Sequence, residues 1–369
     1  MVSTLKVWLS AICIFICGSY TRILDRAIHT AGGTGNERLS LNPVNEEIAG
    51  NPSADLVSVI IPAYNAASYI KDTLDSVFAQ TYRSFQVIVV NDGSPDTEAL
   101  EEVLLPYRDR IVYIKQENRG LSGARNTGLH AAEGSMVALL DADDIWAPDY
   151  LEEQTKFLRE HPEYDLVYCN ARFFGDSIYE GKEYMDVCRS DGEATSTAII
   201  SRRCHVFVSV TARTEVLKRF GFDESLRSCE DFDCWLRVTA AGHRIGYHRK
   251  ILVRYRKHGA SLSANPTRMA DYNIRVLTNA LTLWPQDSEE TRLLLDARAR
   301  KTADLETIRG KVAIQEQNPA AAIAHLAAAN DYYKSAKISM VISLLRVAPA
   351  LVLAAVRLRS HLFRAHRDT

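Results

Sequence analysis

The chain predicts an α/β fold, a mainly parallel sheet with helices on both faces, followed by a C-terminal α-helical region. Three observations carry this. Short runs of β-branched and apolar residues recur between Val57 and Leu140 and are strand-sized rather than helix-sized. Stretches with apolar residues at helical spacing separate them. Each apolar run stops abruptly at polar or turn-forming residues. Strands alternating with helices imply right-handed crossovers and parallel neighbours, and such sheets bind ligands beyond the carboxyl ends of their strands.

The elements follow in order. Val57-Ser-Val-Ile-Ile-Pro62 reads as a buried strand closed by proline. Ser68 is the expected cap of a helix in which Ile70, Leu74, Val77 and Phe78 form one apolar face. Phe85 to Val90 repeats the strand pattern and ends in the turn Asn91-Asp-Gly-Ser-Pro-Asp96. A helix from Asp96 to Tyr107, a strand from Ile111 to Lys115 and a helix from Gly120 to Ala132 come next. Val137 to Leu140 is the fourth strand, and three carboxylates follow within four residues: Asp141, Asp143 and Asp144.

Composition narrows the function. At 369 residues there is room for two or three domains, and 47% hydrophobic with 24% charged residues is globular. A net charge of -2 argues against a nucleic-acid partner and for a small molecule. The seven cysteines contain no C-x-x-C pair and read as reduced thiols, with Cys229 and Cys234 as packing residues. Residues 1–54 read as an apolar segment and linker. Val7 to Cys17 has the size of a signal-peptide core and is short for a membrane span, so a weak anchor, a buried helix and residues upstream of the true start stay open. Arg22 and Arg26 after it, against Lys6 before it, favour a cytoplasmic main body.

Asp141 and Asp143 are two apart, so an extended backbone points them the same way, with Asp144 to the other side. Two hard oxygen ligands at a strand end suit Mg²⁺ or Mn²⁺, which take one or two carboxylates plus substrate phosphates. An acidic turn leading into a helix is the structural alternative. Pro62, Ala63, Tyr64 and Asn65 end the first strand and Asp92 the second, so polar residues gather at one sheet edge.

Five stretches, in order, resemble the family 2 glycosyltransferases of the GT-A fold. They are Val57-Ser-Val-Ile-Ile-Pro-Ala-Tyr-Asn65, Val89-Val-Asn-Asp-Gly-Ser94, Asn118-Arg-Gly-Leu-Ser-Gly-Ala-Arg-Asn-Thr-Gly128, Leu140-Asp-Ala-Asp-Asp144 and Cys229-Glu-Asp-Phe-Asp-Cys-Trp-Leu-Arg237. The resemblance covers Val57 to Ser263 and makes residues 55–265 a GT-A catalytic domain with an inverting mechanism. It implies a nucleoside-diphosphate sugar donor, with a UDP-sugar first, and a D-x-D pair in which Asp143 binds the metal and Asp141 lies nearer ribose and metal. Asp92 then bonds the base or ribose, Pro62, Ala63 and Asn65 wall the nucleotide pocket, and Tyr64 stacks on the base or packs. Gly120 and Arg125 open a helix whose start suits a diphosphate; a surface ion pair is the plainer reading of Arg125. Asp231, beside Glu230, matches the general base, with a pKa lowered by the helix dipole unless burial near Trp235 raises it. Helix capping is the alternative for both carboxylates. In Tyr255-Arg-Lys-His-Gly-Ala-Ser-Leu-Ser263, His258 reaches the diphosphate or metal, or is merely structural, and Arg213 matches a segment bordering the acceptor cleft.

Residues 266–369 read as a helical region. Ile308 to Ala329, broken at Asn318-Pro319, suggests a helix pair of tetratricopeptide type. The apolar stretch 338–356, with Arg346 and Pro349 inside it and a basic tail after it, suits a membrane surface better than a span; a core helix is the alternative. The expected enzyme moves a sugar to a glycan or lipid-linked acceptor in cell-surface polysaccharide assembly, at the inner face of the cytoplasmic membrane. No Q-x-x-R-W sequence occurs, which disfavours processive synthesis. The alternatives are a nucleotidyltransferase, which would carry a glycine-rich phosphate loop after the first strand, and a non-catalytic sugar-nucleotide binder or scaffold, which has no use for a base.

Overall fold

A computed structural model of the chain describes residues 56–259, 261 and 265–354. It divides into two compact units, Gly50–Arg298 and a second that contains Ala299 onward. The apolar run near the amino terminus, the linker, Ser263 and the basic tail lie outside the described residues.

The first unit begins with the expected alternation. β1 (Val57–Ala63), β2 (Phe85–Asp92), β3 (Val112–Gln116) and β4 (Met136–Leu139) alternate with α1 (Ile70–Phe78), α2 (Thr97–Leu104) and α3 (Gly120–Ala131). The strands are parallel, with β1 between β2 and β4 and β2 next to β3. All seven β1 residues are buried, as unbroken apolar runs covered on both faces must be. Ser68 is not the cap of α1: Tyr69 holds that position without a side-chain bond, and the turn before it is fixed by Ala67 N–H donating to Asp96 Oδ2 (2.9 Å).

After β4 come β5 (Ile145–Trp146), α4 (Tyr150–Glu160), β6 (Leu166–Gly175), the short helices α5 (Tyr184–Val187) and α6 (Ser196–Ile200), β7 (Val210–Arg213), α7 (Thr214–Phe220), α8 (Glu230–Ala240) and β8 (Ile245–Lys257). The eight strands form one sheet, ordered β3-β2-β1-β4-β7-β6-β8-β5. β7 runs antiparallel to both β4 and β6, while β6 and β8 are parallel. Two reversals restore the direction, so β6 and β8 point the same way as β4 and finish at the same edge. Helices cover both sides. The unit closes with α9 (Pro266–Asn279), whose first turn is capped by the Asn265 side chain accepting from Arg268 N–H (3.0 Å).

The long helix α10 (Glu289–Gln315) carries the chain into the second unit, which adds α11 (Pro319–Tyr333) and α12 (Ala336–Val347). Asn318 caps α11 through Ala321 N–H (3.0 Å), and Pro319 occupies its first turn, so the expected break falls at Asn318-Pro319. Ile338, Val341, Ile342 and Leu345 of α12 pack with Ile314, Ala322 and Leu326 in this unit's own core. Helical structure pauses at Ala348, before Pro349, and resumes over residues 349–354, so the stretch from 338 is not one continuous helix.

Candidate active site

Strand direction brings the predicted residues to one edge. Ala63 pairs with Asn91 in the β1–β2 register, and Leu140 N–H donates to Ile60 O (3.1 Å), so the ends of β1, β2 and β4 are level. Pro62 and Ala63, the last residues of β1, are buried, while Tyr64 and Asn65 beyond it are exposed. Asn65 has left-handed backbone (φ 52°), and its N–H donates to Ser94 Oγ (2.7 Å), tying this loop to the one after β2. Asp92 ends β2, buried, with Oδ1 accepting from Gln116 Nε2 (2.7 Å) and the Arg119 backbone N–H (2.8 Å).

The acidic turn after β4 is held from below. Buried Thr73 of α1 donates to the carbonyls of Ala142 (2.9 Å) and Asp144 (2.8 Å). Asp144 faces away, buried, and accepts from the Arg256 N–H (2.9 Å). Asp141 and Asp143 remain partly exposed. Arg256 contributes twice more, donating to Asp143 O (2.8 Å) and to Asp72 Oδ2 (2.9 Å).

Arg125 is the centre of the arrangement. It is 1% exposed, one turn into α3, and donates from Nη2 to Asp141 Oδ1 (2.8 Å) and from Nη1 to Glu230 Oε1 (2.6 Å), with Phe222 packed against its guanidinium. It is therefore not a surface ion pair. Its two carboxylate neighbours raise its pKa and keep it charged despite burial. Glu230 and Asp231 form the first turn of α8, whose cap, Cys229, is left-handed (φ 61°). Burial pushes Glu230 up to about 7 against the pull of Arg125, and burial also raises Asp231. Burial, not the helix dipole, decides these two groups.

The late loop joins the same edge. His258 follows β8, and its Nε2 lies 2.9 Å from Asp143 Oδ2 while its ring stacks on Tyr69 at 4.6 Å. For a divalent cation with ~2.1 Å bonds, adjacent octahedral ligands stand about 3 Å apart, so this pair has the spacing of two neighbouring ligands. His258 Nδ1 is buried without a hydrogen-bond partner among the described residues. Burial and the Asp141 charge raise the Asp143 pKa, a repulsion that a cation relieves. Among the described residues no group of three His, Cys, Asp or Glu side chains stands together as a metal site. Asp143 and His258 form a pair with the spacing Mg²⁺ or Mn²⁺ takes, while Asp141 is held by Arg125.

One prediction fails on register. Arg213 pairs with Met136, at the opposite end of β4 from Asp141, and its guanidinium faces Asp165 (3.9 Å) and Leu158 O. It does not border the cleft. Arg256 and Tyr69 were missed; Arg256 stood beside His258 in the sequence, but its partners lie more than a hundred residues away. A cavity of about 340 Å³ lined by Phe222, Asp233, Arg237 and Leu283 holds none of the site carboxylates. The predicted site residues gather at the sheet edge instead.

The geometry has counterparts among known proteins. An uncharacterized glycosyltransferase of Rickettsia typhi is 31% identical over 215 residues, 57% of this chain and 66% of that protein. Glycosyltransferase GlyA of Streptococcus pneumoniae is 40% identical over 57% of this chain and 32% of its own length. The minor teichoic acid biosynthesis protein GgaB of Bacillus subtilis is 30% identical over 58% of this chain and 24% of its own. The chain therefore spans about two thirds of the first relative and a third or less of the other two. Among solved structures, Staphylococcus aureus TarS 1–349 in complex with UDP-GlcNAc has a TM-score of 0.55 at 21% identity, covering 84% of this chain and 92% of that one. The mannosyltransferase PcManGT from Pyrobaculum calidifontis, in complex with GDP-Man and Mn²⁺, has a TM-score of 0.54 at 20% identity, covering 97% and 96%. These likenesses show the GT-A fold. Residues 58–213 match the model of glycosyl transferase family 2, and through them the chain belongs to that family.

Proposed function

We propose that the protein is an inverting, divalent-metal-dependent glycosyltransferase that moves a sugar from a nucleoside-diphosphate sugar, a UDP-sugar first, to a hydroxyl of a glycan or lipid-linked acceptor in cell-surface polysaccharide assembly. The observation that carries this is the Arg125 bridge, which sets the D-x-D carboxylate Asp141 and the acidic start of α8 within one buried contact. A sugar donor and a base for the acceptor belong at that separation.

In this reading Pro62, Ala63, Tyr64 and Asn65 wall the nucleoside, Asp92 accepts from its base or ribose, and the start of α3 at Gly120, whose side-chain space Arg227 fills, borders the donor. Asp141, Asp143 and His258 hold the cation, which when bound offsets the charge of the departing nucleoside diphosphate. Asp231 takes the proton of the acceptor hydroxyl as that oxygen bonds the anomeric carbon from the face opposite the leaving group, so configuration inverts. Glu230, locked on Arg125, orients that turn. The complexes of TarS with UDP-GlcNAc and of PcManGT with GDP-Man and Mn²⁺ support the donor and metal class. The similarity to a teichoic acid biosynthesis protein supports the acceptor class. Exposed Val347 and Leu351, with the basic run Arg357 to Arg367 after them in sequence, support contact with the inner membrane surface.

The test is nucleoside diphosphate release by the full chain from UDP-, GDP- and dTDP-sugars with candidate acceptors, with and without Mn²⁺. One donor is expected to turn over only with metal. Asp143→Ala should abolish that turnover, and Asp231→Asn should lower it roughly 10²- to 10⁴-fold while nucleotide affinity holds. Nucleotide binding without turnover, indifferent to Asp231→Asn, would mean a binder instead.

A further inference from the structure

Resting on the nucleotide-donor reading above, we propose that Arg227 is the base-reading partner of Asp92, and that together they select nucleotides whose base presents a lactam edge.

Gly120, with φ +78°, has its side-chain space already filled: an added Cβ would collide with Arg227 Nη1 and stand 3.3 Å from its Cδ and Cζ. Arg227 thus lies flat over the first residue of α3. The preceding residue, Arg119, gives its backbone N–H to Asp92 Oδ1. The Arg119–Gly120 step, about 3.8 Å between Cα atoms, therefore meets both a carboxylate and a guanidinium. Both described bonds to Asp92 fall on Oδ1, which leaves Oδ2 to accept from a ligand.

An exposed arginine is usually a mobile surface group, but this one sits on a pinned backbone. Ser122 Oγ donates to Leu226 O (3.1 Å) on one side, and Ser228 Oγ contacts Met269 Sδ (2.8 Å) on the other. Upstream, Arg119 grips Glu224 with two nitrogens, and Asn126 exchanges hydrogen bonds with the Phe222 backbone in both directions. Arg119, Arg125, Arg237, Arg256 and Arg275 all donate to oxygens nearby. Arg227 has no hydrogen bond or ion pair with any described residue. A guanidinium on a held backbone, hydrogen-bonded to no described residue and near only the charge of Glu224, is a reader for a ligand that also meets Asp92.

The chemistry selects the ligand. Uracil and guanine both place a carbonyl oxygen beside a ring N–H, an acceptor for Arg227 next to a donor for Asp92. Cytosine and adenine reverse the pattern, with an amino group beside a bare ring nitrogen. They would set an amino donor against the guanidinium and a lone pair against the carboxylate.

Calorimetric titration of the full chain with UDP, GDP, CDP and ADP tests this. The wild type should favour UDP or GDP over CDP and ADP. Arg227→Ala should weaken the favoured nucleotide roughly 10-fold or more and leave CDP and ADP within about twofold, narrowing the selectivity. Arg227→Gln, which keeps an N–H donor without the charge, should recover part of it. Equal weakening of all four nucleotides would make Arg227 a phosphate contact and overturn the proposal, as would unchanged affinity for the favoured one. A wild type that binds none of the four would remove the donor reading itself.

Discussion

At the scale of single residues, burial sets the chemistry. Glu230 is 5% exposed and its carboxyl is pushed up to about 7 from an ordinary 4.5. The folded protein then binds more protons than the unfolded chain across that window, so this group's contribution to stability is full below about 4.5 and fades as pH rises through about 7. Glu230→Gln does not titrate. It should therefore lose less stability than the wild type between about pH 5 and pH 8, by at most about 3 kcal/mol, since Arg125 offsets part of the burial cost. Thermal unfolding across that range checks this; parallel profiles for the two proteins would refute it. The sequence named both carboxylates and left open whether the helix dipole would lower Asp231 or burial near Trp235 raise it; burial raises it. It could not show that Arg125, 16 residues before Asp141 and 105 before Glu230, would be enclosed by both. Arg227 was equally hidden, its one trace being a glycine at the head of α3 that pairs with nothing in the local sequence.

At the scale of elements, the legible part is the first half of the sheet. β1 to β4 could be read because each is an apolar run bounded by turn residues and each helix between them has one apolar face. β7 could not, because strand direction leaves no mark on composition, and Arg213 was misplaced for that reason. The seating of α3 was also invisible: Gly128 lies where a Cβ would overlap Cγ2 of Ile60, itself fully buried in β1. Gly128→Ala gains helix propensity of about 1 kcal/mol but forces this overlap, and a net loss of about 1–2 kcal/mol is expected by urea unfolding. Ile60→Ala alone should cost about 2–5 kcal/mol. The double variant should cost less than the sum, because the new methyl enters the space vacated; strict additivity would show that α3 is seated elsewhere.

At the scale of the whole molecule, the two units have separate cores, and the second uses the apolar face of α12 internally. Among the described residues no helix is long and apolar enough to cross a membrane. Among the described residues of the second unit, Val347 and Leu351 are the most exposed large apolar side chains, and Arg357, Arg359, Arg364 and Arg367 follow them in sequence. Vesicles with anionic lipid should sediment the protein at low salt, and release it as ionic strength rises past about 0.5 M. Removing residues 355–369 should weaken the attachment at least about tenfold, whereas attachment indifferent to salt and truncation would assign any membrane role elsewhere.

The shared guanidinium of Arg125 also bears on timing. One cation divided between Asp141 and Glu230 makes the two carboxylates competitors, so whatever draws Asp141 toward a newly arrived donor leaves more of that positive charge for the start of α8. On the proposed mechanism, loading one side of the cleft would lower the proton affinity of the other, and by reciprocity a deprotonated Glu230 would favour a loaded donor side. Such wiring would tie the charge beside the proposed base, Asp231, to the loading of the donor side. Hydrolysis of a donor without an acceptor would then be governed by charge order.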